Sequence, residues 1–264
     1  MDLKVIVVII SLLLVAVVLM AVMIPRTGKF RAKFMEKCKK FPENSTKCEE
    51  LLASFEKAYV GKRPYYFPET EYEPAFVVAP YTHPGEKTML WSDRGGEWAH
   101  KFTENRGCLF TLENTLLGYV MDGQTWCGLK GLEGTYEPFC QWCSNNTVDS
   151  FWTIASMKFA RHATGAVTAM LDGDAREPFD PNSFFGLETK QLLHPRVTNL
   201  DIILVTNKEG VCEKATSLQG LEKSITQRNI SYSCTEVPSS HIQTCIENNK
   251  CETCWSNPSS SASP

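Results

Sequence analysis

The stretch Thr198–Val237 reads TNLDIILVTNKEGVCEKATSLQGLEKSITQRNISYSCTEV, and it decides the fold class. TNLDIILVTN and NISYSCTEV are short runs rich in apolar and β-branched residues. Between them, LQGLEKSITQRN places Leu218, Leu221 and Ile225 on one face of a helix. Strand, amphipathic helix and strand at this spacing is the pattern of a parallel crossover, because parallel neighbours need a dozen or more residues to reconnect. Upstream, Gly165–Gly173 (GAVTAMLDG) is a third run of the same kind. The residues before it read differently. KFRAKFMEKC, CEELLASFEKAYV, the span from Trp98 to Met121 and FWTIASMKFARHAT are helical in pattern, and Gly61–Lys87, rich in Pro and Tyr, reads as a long ordered loop. The expected architecture is α/β: a mainly helical half over 28–155, a parallel-sheet half over 156–255, and a Ser/Pro-rich tail over 256–264 read as disordered.

Composition agrees with a globular chain. Of 264 residues, 43% are hydrophobic and 22% charged, which excludes a disordered or collagen-like chain and a multi-span membrane protein. The 27 basic residues against 30 acidic give a net charge of -3, so no basic excess argues for a nucleic-acid partner.

Val5–Ile24 is apolar throughout except for Ser11, long enough as a helix to span about 30 Å of hydrocarbon. Such a run is either a cleaved signal peptide or a retained anchor. Its length and the absence of a small-x-small site after it favour an anchor, with residues 1–4 as a short tail. Arg26, Lys29, Arg31 and Lys33 follow the span and, taken alone, would hold that side in the cytoplasm. Eleven cysteines and three sequons, at Asn44, Asn145 and Asn229, point the other way, to a lumenal or extracellular domain. The expectation is a single-pass type II protein with its body outside the cell. The pairs Cys140–Cys143 and Cys251–Cys254 have CxxC spacing, but lie far apart without nearby His; disulfides, and no metal, are the expectation.

Generic catalytic motifs are missing: there is no GxGxxG after a strand, no GxxxxGK[ST], no HExxH and no GxSxG. Three segments are distinctive instead: Thr111–Gly128 (TLENTLLGYVMDGQTWCG), Cys143–Trp152 (CSNNTVDSFW) and Phe179–Gly186 (FDPNSFFG), supported by LWS at Leu90–Ser92 and the later AHKFT. In wording and order the chain resembles the ADP-ribosyl cyclase / cyclic ADP-ribose hydrolase family of NAD glycohydrolase ectoenzymes. The resemblance implies cleavage of the nicotinamide–ribose bond of NAD, with NAD as substrate, no tightly bound cofactor, and possible pairing into a homodimer. It also implies an acidic pair at the nicotinamide end, Glu113 and Asp122, and a stacking pair, Trp91 and Trp152. Ser92, Arg94 and Ser156 would contact phosphates, and Phe185 would pack on ribose or adenine. It further implies the disulfides Cys38–Cys48, Cys127–Cys140, Cys212–Cys234 and Cys245–Cys254. The family partner of Cys143 would fall between residues 49 and 90, where no Cys stands; Cys108 is the possible replacement, leaving Cys251 odd.

One position departs from the pattern. The family's catalytic Glu stands three residues after the Gly of the FG motif, and here that place holds Thr189, with Glu188 one residue early. Two readings stay open: the loop slips and Glu188 supplies the carboxylate, or Thr189 occupies the site and the chain is a catalytically impaired receptor or adhesion protein of the same fold.

Overall fold

A computed structural model describes residues 29–42, 47–104, 107–128, 145–247 and 255. In chain order its elements are helix α1 over 29–40, α2 (Cys48–Tyr59), α3 (Glu73–Val78), strand β1 (Met89–Trp91), α4 (Gly95–Thr103), α5 (Leu116–Met121) and α6 (Thr147–His162). Then come β2 (Gly165–Asp172), α7 (Phe184–Thr189), β3 (Val197–Val205), α8 (Val211–Lys214), α9 (Thr216–Thr226), β4 (Ser231–Val237) and α10 (Ser239–Glu247). Short 3-10 turns cover Glu69–Tyr72, Gly85–Lys87 and Leu112–Asn114. The chain divides into two compact units, the first formed by residues up to Pro80 with Tyr119–Phe151, the second by Tyr81–Gly118 with the residues from Trp152 onward.

The first unit is helical with an aromatic core. Phe34, Phe55, Tyr59, Tyr72, Trp126 and Phe151 are fully buried, and Phe55 packs against Tyr72, Trp126 and Phe151 with ring centroids 5.2 to 5.6 Å apart. Polar atoms inside this cluster must find partners. Those of Trp126 and Tyr72 do so with Thr147 in a closed ring: the Trp126 indole donates to the Tyr72 hydroxyl (2.8 Å), Tyr72 to the Thr147 carbonyl (2.9 Å), and the Thr147 hydroxyl to the Trp126 carbonyl (2.7 Å). The Cys38–Cys48 disulfide ties α1 to α2.

The second unit is built on one four-stranded parallel sheet in the order β1-β2-β3-β4. Each strand returns through helices, as parallel pairing requires. Along one face Met89, Met170, Ile203, Val205 and Val237 pack with Ala99 and Phe102 of α4, Ile242 and Cys245 of α10, and Trp255. These strand positions obey the two-residue period that keeps side chains on one side of a sheet. The Cys212–Cys234 disulfide joins α8 to β4, and the Glu236 carboxylate accepts from the Gly210 and Cys212 amides at the start of α8.

The three strands and the helix read around Thr198–Val237 form as expected, and two of the implied disulfides are present. Cys127 and Cys245 are also disulfide-bonded, as is Cys108, while Cys140, Cys143, Cys251 and Cys254 lie outside the described residues. Residues 5–24, Asn44 and the tail over 256–264 lie outside them too; among the described residues no helix is long and apolar enough to cross a membrane.

Three expectations are corrected. The half expected to be mainly helical, over 28–155, contains β1, which joins the sheet. Three residues are too few for strand periodicity to show. The helix expected over Trp98–Met121 is broken, since Gly107 takes a left-handed φ of 62° and Phe110 bridges to Thr88 before the chain turns helical again. The expected loop over Gly61–Lys87 holds α3, started by a proline in its first turn, where the missing N–H costs nothing.

Ile203 lies at the centre of the packed face. Ile203→Ala is expected to lower unfolding free energy by about 2–5 kcal/mol, read as a shifted urea midpoint with an unchanged slope.

Candidate active site

The site lies in the second unit. Trp91 ends β1, Ser92 and Arg94 follow it, and Asp172 ends β2. These are carboxyl ends of parallel strands, where open α/β sheets place their ligands. Directly after β1 the chain enters α4 through Gly95 and Gly96. A Cβ on Gly96 would sit 2.7 Å from the Trp91 indole, so only glycine lets the ring lie against the helix start. His100 stands one turn further along α4, on the same face as Gly96. Its ring meets Trp91 edge-on, with centroids 5.1 Å apart.

Glu113 sits on the Leu112–Asn114 turn. That turn is locked by Asn114, whose Oδ1 accepts from the Thr111 amide (2.8 Å) and hydroxyl (3.0 Å). The Glu113 side chain is 14% exposed, and its Oε2 lies 3.1 Å from both the Trp91 Nε1 and the His100 Nε2. Burial by itself would raise the Glu113 pKa. The close contact and charge of His100, its own backbone amide and the Trp91 indole outweigh burial and hold the carboxyl below its ordinary value.

Glu188 has the opposite fate. It lies on α7, 6% exposed, and burial pushes its pKa well above the ordinary carboxyl value. The negative charge of Glu113 pushes it the same way, and a hydrogen bond from the Ser156 hydroxyl opposes both without overcoming them. The charge of Glu113 thus acts on Glu188, and the two carboxyls are pushed in opposite directions, Glu113 below and Glu188 above the ordinary value. Tyr81 belongs to the same neighbourhood: its hydroxyl donates to the Ala155 carbonyl (2.8 Å), and burial with the charges of Glu188 and Glu113 holds it protonated.

The aim of Glu188 follows from α7. Ser183 caps the helix, its hydroxyl accepting from the Gly186 amide at 3.1 Å. A Cβ on Gly186 would fall 2.5 Å from Pro181, so the turn closes only on glycine. Phe185, Glu188 and Thr189 then share the buried side of the helix. The Thr189 hydroxyl donates back to the Gly186 carbonyl of its own helix (2.9 Å). Of the two candidate positions, Glu188 is the one that reaches Ser156 and feels Glu113.

The structure therefore brings together Trp91, Glu113, Ser156 and Glu188. Trp152 stands half-buried on α6, one turn before Ser156 and on the same helix face. Arg94 is exposed and donates through Nε to the buried Asp172 carboxylate (2.7 Å). Ser92 is nearly buried, its hydroxyl donating to Asp93 at 3.1 Å. Phe185 is fully buried, edge-on to Phe179. Asp122 belongs to the first unit, where its exposed carboxylate lies 4.0 Å from the Lys37 ammonium. His100 and Asp172 were given no role from sequence. No local spacing marks His100, whose partner Glu113 lies on a separate element. Among the described residues no group of His, Cys, Asp and Glu is arranged to hold a metal.

An ionised carboxylate, a protonated one and indole rings are the equipment of a site that stabilises a glycosyl cation. Known proteins agree in sequence and in fold. A family model described as ADP-ribosyl cyclase matches residues 26–254. The chain is 34% identical over 246 residues to ADP-ribosyl cyclase/cyclic ADP-ribose hydrolase 1 of Mus musculus, covering 87% of this chain and 80% of that protein. Its fold matches Aplysia cyclase complexed with the substrate NGD and the product cGDPR, with TM-score 0.71, 29% identity, and 83% and 93% of the two chains covered. It also matches porcine CD38 complexed with a covalent intermediate, with TM-score 0.68, 30% identity, and 79% and 96% covered. The chain belongs to the ADP-ribosyl cyclase family.

The raised Glu188 pKa has a consequence for stability. Protonated Glu188 suits the folded state, so its contribution is intact below the unfolded pKa of about 4.3 and is lost as pH rises through the folded value. Glu188→Gln carries no such loss. The variant is expected to melt close to the wild type near about pH 4 and increasingly above it as pH rises, levelling off once the folded pKa is passed. Thermal melting of both proteins across that range checks this; a difference that shrinks with pH would contradict it.

Proposed function

We propose that the chain is an ectoenzyme that cleaves the nicotinamide–ribose bond of NAD, giving ADP-ribose, cyclic ADP-ribose or both. The observation that carries the reading is the buried Glu188 carboxyl, held by Ser156 and in electrostatic reach of Glu113.

In NAD the nicotinamide ring is cationic and is a good leaving group. As its bond to the ribose breaks, the electron pair leaves with nicotinamide and a cationic ribosyl centre remains. Glu188, once ionised, stabilises or bonds that centre from the face opposite the departing ring, as the second carboxylate of a retaining glycosidase does. The positive charge of the bound substrate supplies what the empty site lacks, because it favours the ionised form of Glu188 beside an already ionised Glu113. Attack by water then yields ADP-ribose and a proton; attack by the substrate's own adenine yields the cyclic product. Glu113 holds the nicotinamide end, with Trp91 and Trp152 offering flat faces to the ring. Arg94, oriented by Asp172, keeps its outer N–H groups for phosphate oxygens, with Ser92 beside it. Phe185, on the buried side of α7 with Glu188, completes the proposed contacts. NAD is consumed, and the mechanism calls for no resident cofactor.

We place the domain outside the cell or in a lumen, anchored by residues 5–24. Disulfides and the exposed positions of Asn145 and Asn229 support that reading. The second reading, an impaired receptor, needs Thr189 in the carboxylate's place; the Thr189 hydroxyl is instead bonded within its own helix.

The test is NAD turnover by the purified full chain, with nicotinamide and ADP-ribosyl products resolved by chromatography. Glu188→Gln is expected to lower kcat by roughly 10²–10⁴. Thr189→Val should stay within about threefold of wild type, as expected for a hydroxyl that serves only its own helix. An inactive but well-folded wild type would favour the receptor reading.

A further inference from the structure

We propose that His100 is a positioning residue, which acts through Glu113 by fixing its carboxylate plane and keeping it available as an anion at the nicotinamide end of the site. The inference rests on the proposed NAD-cleaving function and adds a role that neither the sequence motifs nor the paired carboxylates supply.

The geometry is specific. Trp91 Nε1 and His100 Nε2 lie at the same distance, 3.1 Å, from the same oxygen, Glu113 Oε2. Two ring nitrogens converging on one oxygen fix the orientation of the carboxylate more tightly than one can. The rings brace each other as well, standing at 83° with centroids 5.1 Å apart, while Trp91 rests on Gly96, one turn before His100. The His100 Nε2 is shut from solvent and approaches Glu113 Oε2 as an ion pair, not as an aligned hydrogen bond, although the side chain as a whole is 41% exposed. A carboxylate this buried, with Glu188 in electrostatic reach, would take up a proton if left unsupported. The indole alone supplies one neutral donor. His100 adds a second close contact, from a ring able to carry positive charge.

The substrate end this carboxylate faces is already cationic before the bond breaks. Loss of His100 should therefore weaken ground-state binding as well as the chemical step, and part of the effect should fall in KM.

The test is a double-mutant cycle on the full chain, with kcat and KM for NAD measured for wild type, His100→Phe, Glu113→Gln and the double variant, and melting curves for each. His100→Phe keeps a ring against Trp91 and removes the donor. It is expected to lower kcat/KM about ten- to hundredfold, the range for a hydrogen bond to a charged group. In the Glu113→Gln background the same change should cost no more than about threefold, because its partner is gone. His100→Gln, whose amide nitrogen reaches to about the place of Nε2, should recover most of the loss. Losses that multiply in the double variant, or a well-folded His100→Gln no better than His100→Phe, would overturn the proposal while leaving the functional reading intact. A wild type that neither binds nor turns over NAD would overturn both.

Discussion

Two carboxyl groups placed in one dry site cannot both carry charge without help, and the second unit is organised around that constraint. Glu113 is given contacts that favour its charge and hold its pKa down; Glu188 is given burial and a single hydroxyl, and its pKa is pushed up. The asymmetry matters chemically. A site with two free carboxylates would be costly to fold, and one with two neutral acids would have nothing to offer a cation. Pushing the two pKa values apart lets one carboxylate keep its charge while the other gives way to burial.

The sheet makes this arrangement affordable to build, because it collects groups distant in sequence at the ends of neighbouring strands. Trp91 and Asp172 end β1 and β2, with the register pairing Trp91 to Met170, two residues before Asp172. Glu113 comes from a capped turn, Ser156 from α6 and Glu188 from α7, all rigid elements rather than long loops. Positions held this way have little freedom to drift, which is what a preorganised site needs.

What could be read from the sequence divides along physical lines. β2, β3, β4 and α9 were legible because each is long enough for apolar spacing to register, and each turn between them carries its own signals. β1 was not: Met89, Leu90 and Trp91 show no period, and their strand identity comes from pairing with β2, a contact across 79 residues of chain at Leu90 and Ala169. Among the site residues, Glu113, Trp91, Trp152 and Ser156 were reached through family wording, not through periodicity. His100 was missed because its partner lies on a separate element, and nothing local to AHKFT reveals it. The pairing of Arg94 with Asp172 was hidden for the same reason.

The displaced glutamate shows why sequence register alone could not settle that position. Along a strand, a shift of one residue sends a side chain to the opposite face. The FFGLET segment is instead a turn of helix, on which one residue rotates the side chain by only about 100°. Phe185 marks the buried side; Glu188 and Thr189 follow it by three and four residues, the two spacings that return to the same helix face. Both are accordingly buried, and either could in principle present a group inward. Their chemistry then separates them. The short Thr189 side chain closes a hydrogen bond onto Gly186, whereas the longer Glu188 reaches the Ser156 hydroxyl. On a helical turn capped by Ser183, adjacent residues can both lie on the buried side, whereas on an extended loop they would point to opposite faces.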